Sequence, residues 1–379
     1  MRLIAPLPDP FLLPDGGRVS NRDDWRAHRP KLLDLLLNTQ YGTVPPPPDV
    51  LDFVIGQTHD TNQGHRRRTD CLTMTPHQDR PGTRIDLQVT VTFPLDEVVV
   101  RRKERLSSFG QNGLPAILCV GGKTHNAFLN SGYVVVNYPN DMLEPMETGK
   151  PMLGPAREAY RKLFRDQHSW GSIAVWAWGA VCVLDYVVRV SEVDRHQVSI
   201  TGHSRNGKTA LLAGALDERF AVVNPAGSGC AGAGSYLALG EDCEDLAALT
   251  SRDRWWAWTH PEFEKWAGRE ADLPFDQHFL MAAIAPRPLL RTEGTDDTWA
   301  NPEGTSATYL ATQPVYDLLG VPERNTIAYR DGGHDHTEED AQALVDLCDE
   351  TFFGVPRSRD FGKTLPPSEA GSLFTWSTP

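Results

Sequence analysis

The chain has 379 residues, of which 40% are hydrophobic, enough for a sizeable core in one large domain or two. A formal net charge of −13 argues against a protein that grips nucleic acid through a basic surface, and no apolar run is long enough to span a membrane. The six cysteines show no C-x-x-C spacing, so a zinc knuckle is excluded, and Cys119 and Cys182 fall in apolar runs as small core residues.

Residues 1–6 carry no apolar signal core, so the chain as it stands reads as cytoplasmic, with secretion left open if a leader has been removed. Residues 1–50 read as a helical preface. Ser20-Asn21-Arg22-Asp23 resembles a capping box, Leu32, Leu33, Leu35, Leu36 and Leu37 supply an apolar face, and Gly42 with the prolines at 45–48 ends the helix. Arg66-Arg67-Arg68 and Arg101-Arg102-Lys103 lie beside turn-rich polar sequence and read as solvated loops. Residues 84–94 alternate polar and apolar side chains, which predicts a half-buried strand, antiparallel and near an edge.

From Pro115 the pattern changes. Ala116-Ile117-Leu118-Cys119-Val120 and Tyr133-Val134-Val135-Val136-Asn137-Tyr138 are continuous apolar runs, which suit strands covered on both faces of a parallel sheet. A long apolar helix is expected over 173–188. Further strands are expected at 198–201, 220–224, 288–292 and 326–329, with helices at 306–319 and 338–353. Strands alternating with helices mean an α/β sheet with helices on both faces. Residues 232–274, rich in Glu, Asp and Trp, interrupt this rhythm and include Trp255, Trp256, Trp258 and Trp266. They form either a cap-like insert over a pocket or a structural excursion packed by its own tryptophans. Cys230 and Cys243 are left as an open pairing.

Gly202-His203-Ser204-Arg205-Asn206 closes the strand at 198–201 and opens a helix of small residues. It follows the G-x-S-x-G pattern except at its last position. Such a turn holds a serine hydroxyl above the sheet as a nucleophile elbow, and the fold expected is an α/β-hydrolase with a mostly parallel central sheet. The plain alternative is an ordinary serine in a strand–turn–helix. A serine needs a base, and the base needs an orienting acid, in the chain order Ser, acid, His. The loop Arg330-Asp331-Gly332-Gly333-His334-Asp335-His336 follows the last expected strand, so His334 is the candidate base and His336 the alternative. The turn Glu293-Gly294-Thr295-Asp296-Asp297-Thr298-Trp299 follows the strand before it, so Asp297 is the candidate acid and Asp296 the alternative. Both carboxylates could instead only cap the next turn. The N–H of Arg205 is the first oxyanion donor, and Gly121-Gly122 sits where a second donor loop often lies. The Arg205 side chain either adds positive charge there or makes a surface salt bridge. His334 and His336 lack a set of partners for a metal, so neither metal nor organic cofactor is expected.

The elbow Gly202-His203-Ser204-Arg205-Asn206-Gly207-Lys208 resembles the G-C-S-R-x-G-K motif of glucuronoyl esterases, carbohydrate esterase family 15. Pro8-Asp9-Pro10-Phe11 with Asp15-Gly16 and Trp25, Ala174-Val175-Trp176-Ala177-Trp178-Gly179, Leu273-Pro274-Phe275-Asp276-Gln277-His278 and Ala285-Pro286-Arg287-Pro288 are similar to family segments as well. So are the stretch from Gly294 to Gly304 and Gly332-Gly333-His334. The likeness runs through nearly the whole chain and implies one catalytic domain over 1–379. It implies an enzyme that cleaves esters of glucuronic acid, often 4-O-methylated, with Ser204 as nucleophile and His334 as base. Arg205 is then an oxyanion stabiliser. Lys208, Trp299 and Glu241 are then substrate-binding residues, Glu241 through an alignment in the variable insert.

Two departures qualify the likeness. Many members carry the acid in a P-x-E-S-G motif, where this chain reads Pro225-Ala226-Gly227-Ser228-Gly229, so Asp297 must supply the role. His203 replaces the motif cysteine, which in fungal members pairs with one just after the catalytic histidine, where this chain has Asp335. A His203–Asp335 contact in place of that crosslink is the expectation. The partner implied is a small-molecule or oligosaccharide uronate ester, with neither nucleic acid nor membrane, and the oligomeric state is open. The same triad acting on another small or acetylated carbohydrate ester, or a catalytically silent sugar-binding homologue, are the alternatives.

Overall fold

Alternate side chains of the central strands feed two separate cores, one on each face of a single large sheet. In the strand Leu114–Val120, Ala116, Leu118 and Val120 enter one core while Ile117 and Cys119 enter the other. A strand covered on both faces favours apolar residues at every position, which explains its unbroken apolar run. The computed structural model describes residues 1–13, 16–80, 83–146, 154–164, 170–366 and 369–379. Asp15 of the amino-terminal segment lies outside them.

The main strands are β1 (Val50–Val54), β2 (Arg66–Thr75), β3 (Ile85–Thr92), β4 (Leu114–Val120), β5 (Val134–Tyr138), β6 (Val193–His203), β7 (Val222–Ala226), β8 (Leu289–Gly294) and β9 (Asn325–Arg330). They lie in the order β9-β8-β7-β6-β4-β5-β3-β2-β1, and the short pair of residues His59–Asp60 adds to β2. From β9 to β5 every pairing is parallel. The β5–β3, β3–β2 and β2–β1 pairings are antiparallel. This is the mostly parallel α/β-hydrolase sheet expected from the alternation of strands and helices.

The strand expected at 84–94 is present and antiparallel, but it lies inside the sheet. Two further strands cover it, and one contains the arginine run expected to be a loop. Arg68 is buried on β2, where Nε donates to Asp70 Oδ2 at 2.9 Å and Nη1 to Glu192 Oε1 at 2.6 Å. Its charge is paired inside the protein, so a run that reads as solvated is partly a core element. Arg101, Arg102 and Lys103 are likewise helical, in the last turns of the helix Asp96–Arg105, where positive charge complements the helix dipole.

The principal helices are α1 (Arg22–Leu36), α2 (Ser172–Val187), α3 (Arg205–Leu216), α4 (Pro302–Leu319) and α5 (Glu338–Phe353). Helix α1 is capped by Asn21, whose side chain accepts from the N–H groups of Asp23 and Asp24. The capping residue is thus Asn21 and not Ser20. Helices α2 and α3 pack on one face of the sheet, and α2 buries Trp176, Val183 and Leu184 completely. Each such side chain contributes about 1.5–3 kcal/mol. Helix α5 covers the other face through Leu344, Leu347 and Cys348, and Thr337 and Asp340 form its capping box.

Residues 232–274 contain one short helix, Leu246–Thr250, and several single 3-10 turns. Ala238–Leu239 pairs with Arg2–Leu3 as a separate two-stranded sheet. Trp255 and Trp258 stack with ring centroids 4.8 Å apart, so this stretch does carry its own tryptophan packing. All six cysteines are unpaired, Cys230 and Cys243 included. Among the described residues no helix is long and apolar enough to cross a membrane.

Candidate active site

Ser204 follows the last residue of β6 and opens α3. Its φ of 58° and ψ of −124° put a residue with a Cβ in the left-handed region, a strained turn that presents the side chain above the sheet edge. The missing glycine at Asn206 is explained by a shift of one position. A Cβ on Gly207 would lie 2.9 Å from Ala226 O and 3.0 Å from Gly202 O, so the close approach of α3 to the sheet falls at Gly207.

Asp297 and His334 stand on the turns after β8 and β9, on the same carboxyl-terminal edge as Ser204. His334 Nε2 lies 2.9 Å from Ser204 Oγ, and His334 Nδ1 lies 2.7 Å from Asp297 Oδ2. A carboxylate only accepts, so Nδ1 carries the hydrogen and Nε2 is free to accept from the serine hydroxyl. Asp297 is buried, and its other oxygen accepts the N–H of Ala300 at 3.3 Å. The capping role and the His334 contact therefore coexist in one carboxylate. Asp296 is exposed and His336 is buried beside His125, so neither alternative meets Ser204. Glu293, four residues before Asp297, is fully buried, with Thr305 as its polar neighbour. Burial first, and then the charge of Asp297, push this carboxyl well above the usual carboxylate range.

The N–H of Arg205 is in the first turn of α3 and has no intrahelical acceptor to meet. The Arg205 guanidinium reaches Asp141 at 3.1 Å through Nη2, while its Nε is buried with no acceptor among the described residues. The Arg205 backbone N–H, next to Ser204 in the chain, is thus a donor left open by the helix. Gly121 does not supply the expected second donor, because its N–H already donates to Tyr138 O at 2.9 Å within the sheet edge.

A cleft of about 220 Å³ opens beside the serine, lined among others by Ser204, Lys208, Glu244, Arg254, Trp299 and His334. Trp299 presents an indole that is 37% exposed, and the Arg254 guanidinium lies 4.6 Å from its ring centroid. Lys208 is in the wall, but its three N–H donors are engaged by Ser228 O, Cys230 O and Glu244 Oε2. Glu241 is exposed and does not line the cleft. The carboxylate in the wall is Glu244, three residues on in the same acidic run and 4% exposed. Glu244 and Arg254 were not singled out from the sequence; their only signal was their place in the tryptophan-rich, charged insert. The expected His203–Asp335 hydrogen bond is absent. Asp335 Oδ1 instead accepts from Lys123 Nζ at 3.0 Å, and His203 packs between His334 and His336. Among the described residues no cluster of His, Cys, Asp and Glu is arranged to hold a metal ion.

Comparison with known proteins gives the family. Residues 79–320 match the family model described as "Glucuronyl esterase, fungi". The chain is similar to carbohydrate esterase MZ0003 from an unknown prokaryotic organism, at 29% identity over 92% of this chain and 90% of that protein. It is 27% identical to a 4-O-methyl-glucuronoyl methylesterase of Phanerochaete carnosa, over 88% of this chain and 76% of that protein. Among solved structures, a carbohydrate esterase family 15 glucuronoyl esterase from Caldicellulosiruptor kristjansonii superposes with a TM-score of 0.82 at 29% identity, covering 99% of this chain and 98% of that one. Because the matched segment spans the elbow, β8 and the turn that carries Asp297, the chain belongs to the glucuronyl esterase family.

Proposed function

We propose that this protein is a serine carboxyl-ester hydrolase that cleaves esters of 4-O-methyl-glucuronic acid, with Ser204 as nucleophile, His334 as general base and Asp297 as the acid that orients it. One observation carries this reading. An unbroken relay runs from Asp297 Oδ2 through His334 to Ser204 Oγ, at 2.7 and 2.9 Å, beside a cleft that offers an indole face and a buried carboxylate. An indole suits the C–H face of a pyranose, and Glu244 can accept from its hydroxyls. Lys208, with its donors spent, holds Glu244 and the 228–230 turn in place and is not itself a free sugar donor.

In the reaction Ser204 Oγ attacks the ester carbonyl as His334 Nε2 takes its proton. Asp297 steadies the imidazolium, and the oxyanion is met by the Arg205 N–H, with the Arg205 guanidinium adding positive charge beside it. The proton then passes to the leaving alcohol, and a water activated by His334 releases the uronic acid. We read residues 1–379 as one catalytic unit, with 232–274 as a wall of its cleft. Six unpaired cysteines suit a reducing compartment, so we place the enzyme in the cytoplasm, acting on imported ester fragments.

The test compares the protein with its Ser204→Ala variant on a benzyl glucuronate ester and on an acetylated sugar. Hydrolysis of the first only, lost by a factor on the order of 10⁴ or more in the variant, is the expected result. Hydrolysis of the acetylated sugar alone would reject the substrate, and a variant as active as the parent would reject the mechanism. No turnover of either ester would leave a sugar-binding homologue.

A further inference from the structure

Behind the triad lies a row of imidazoles that the reaction above does not use. The ring of His203 is 4.5 Å from that of His334, tilted by 43°, and its other neighbour is His336 at 5.8 Å, nearly parallel at 14°. His336 in turn meets the edge of His125 at 4.4 Å. Nε2 of His203, His336 and His125 is in each case buried without a hydrogen-bond partner among the described residues. Buried polar atoms are nearly always paired, so three orphaned nitrogens in one row call for a reason. The space His203 occupies is set by Gly227, whose φ is +47°: a Cβ there would lie 3.1 Å from His203 Nε2 and 3.5 Å from Asp297 Oδ2. A residue without a side chain at 227 thus lets the His203 ring stand beside both Asp297 and His334.

We propose that His203 is a positioning residue of the triad: its ring, seated against Gly227, backs the face of His334 and keeps that imidazole in line with Ser204 and Asp297. The proposal rests on His334 acting as the base in the reading above. The charged and titratable groups facing His203 are Asp297 from the turn after β8, His334, Asp335 and His336 from the loop after β9, and Lys123 from the loop after β4. Lys123 and Asp335 pair with each other at 3.0 Å, so neither adds a free charge to the row. Burial, with His334 second, pushes the His203 imidazole down to about 4. The His203 ring therefore presents no like charge to His334 above about pH 4.

The experiment uses the full chain with His203→Ala and His203→Phe, measuring kcat and KM on the benzyl glucuronate ester across pH, with thermal unfolding recorded for each. His203→Ala should lower kcat by roughly 10- to 100-fold, the scale set by small misplacements of a catalytic group, and leave KM within about 2-fold. His203→Phe, an uncharged ring, should recover most of kcat. In the parent the acid limb of log kcat/KM should steepen to a second proton below about pH 4, and that second proton should be missing in His203→Phe. If His203→Ala keeps the parental kcat, if the two variants lose kcat equally while still folded, or if the acid limb is the same in parent and His203→Phe, the proposal is wrong. Loss of the underlying reading is distinct from this: it is announced by a Ser204→Ala variant that still turns over.

Discussion

Asp297 shows how one side chain serves two purposes without compromise. Its Oδ1 caps the turn to Ala300 and its Oδ2 fixes the tautomer of His334. An amide at this position keeps the size but presents a donor or a neutral acceptor to Nδ1, so Asp297→Asn should lower kcat on the order of 10⁴-fold with little change in KM or fold. Steady-state kinetics with a melting curve check this, and a variant within a few-fold of the parent would move the acid elsewhere. Asp297 was legible in the sequence because chain order and a glycine turn after an apolar strand leave few choices. Glu244 was not. It and Glu241 share one acidic run, with Asp242 between them at φ 57°, and of the two glutamates only Glu244 lines the cleft. Spacing alone carries no sign of which one turns inward.

Between elements, the contact that ties α3 to the stretch 232–274 is the buried pair of Lys208 and Glu244, 3.2 Å apart and 3% and 4% exposed. Desolvation makes such a pair a weak source of net stability, but removing one partner strands the other charge. Lys208→Met should therefore destabilise the protein by about 3–5 kcal/mol, and adding Glu244→Leu should recover much of that loss. Urea unfolding of the single and double variants measures it; equal stability of parent and Lys208→Met would show that the pair is not sensed. Ion pairing also marks where the fold escaped the sequence. β4 and β5 announce themselves by unbroken apolar runs, and α5 begins at its capping box. β2 hides because its arginines look solvated until Asp70 and Glu192 are seen beside Arg68. With β2 hidden in this way, the alternation in β3 reads as that of a strand near the edge.

Over the whole molecule, protonation opposes folding on the acid side. Burial lowers the imidazoles of His28, His125, His203, His278 and His336, His203 to about 4 and His278 to about 3. A base whose folded value is depressed contributes stability that is present above its unfolded value, near 6.5, and is lost as pH falls toward the folded one. Glu293, raised by burial, acts in the opposite sense, since its contribution is present below the ordinary carboxylate value and lost as pH rises. Burial raises Glu144 and Asp276 as it does Glu293 and lowers His260 with the other rings, so six imidazoles, whose ordinary value lies inside the interval, stand against three carboxylates: Tm should fall as pH drops from 7.5 to about 4.5, and a flat or rising Tm over that interval would contradict the burial of these rings. The placement of the reacting groups carries a different kind of consequence. Ser204 and His334 are 130 residues apart, and Asp297 and His334 are 37 apart, each at the end of a separate parallel strand. A chain that has collapsed without bringing β6, β7, β8 and β9 into register owns all three side chains and has no nucleophile. Turnover is thus a clock for refolding: its return times the closing of contacts between strand ends as far as 130 residues apart, after the first apolar surface has left water.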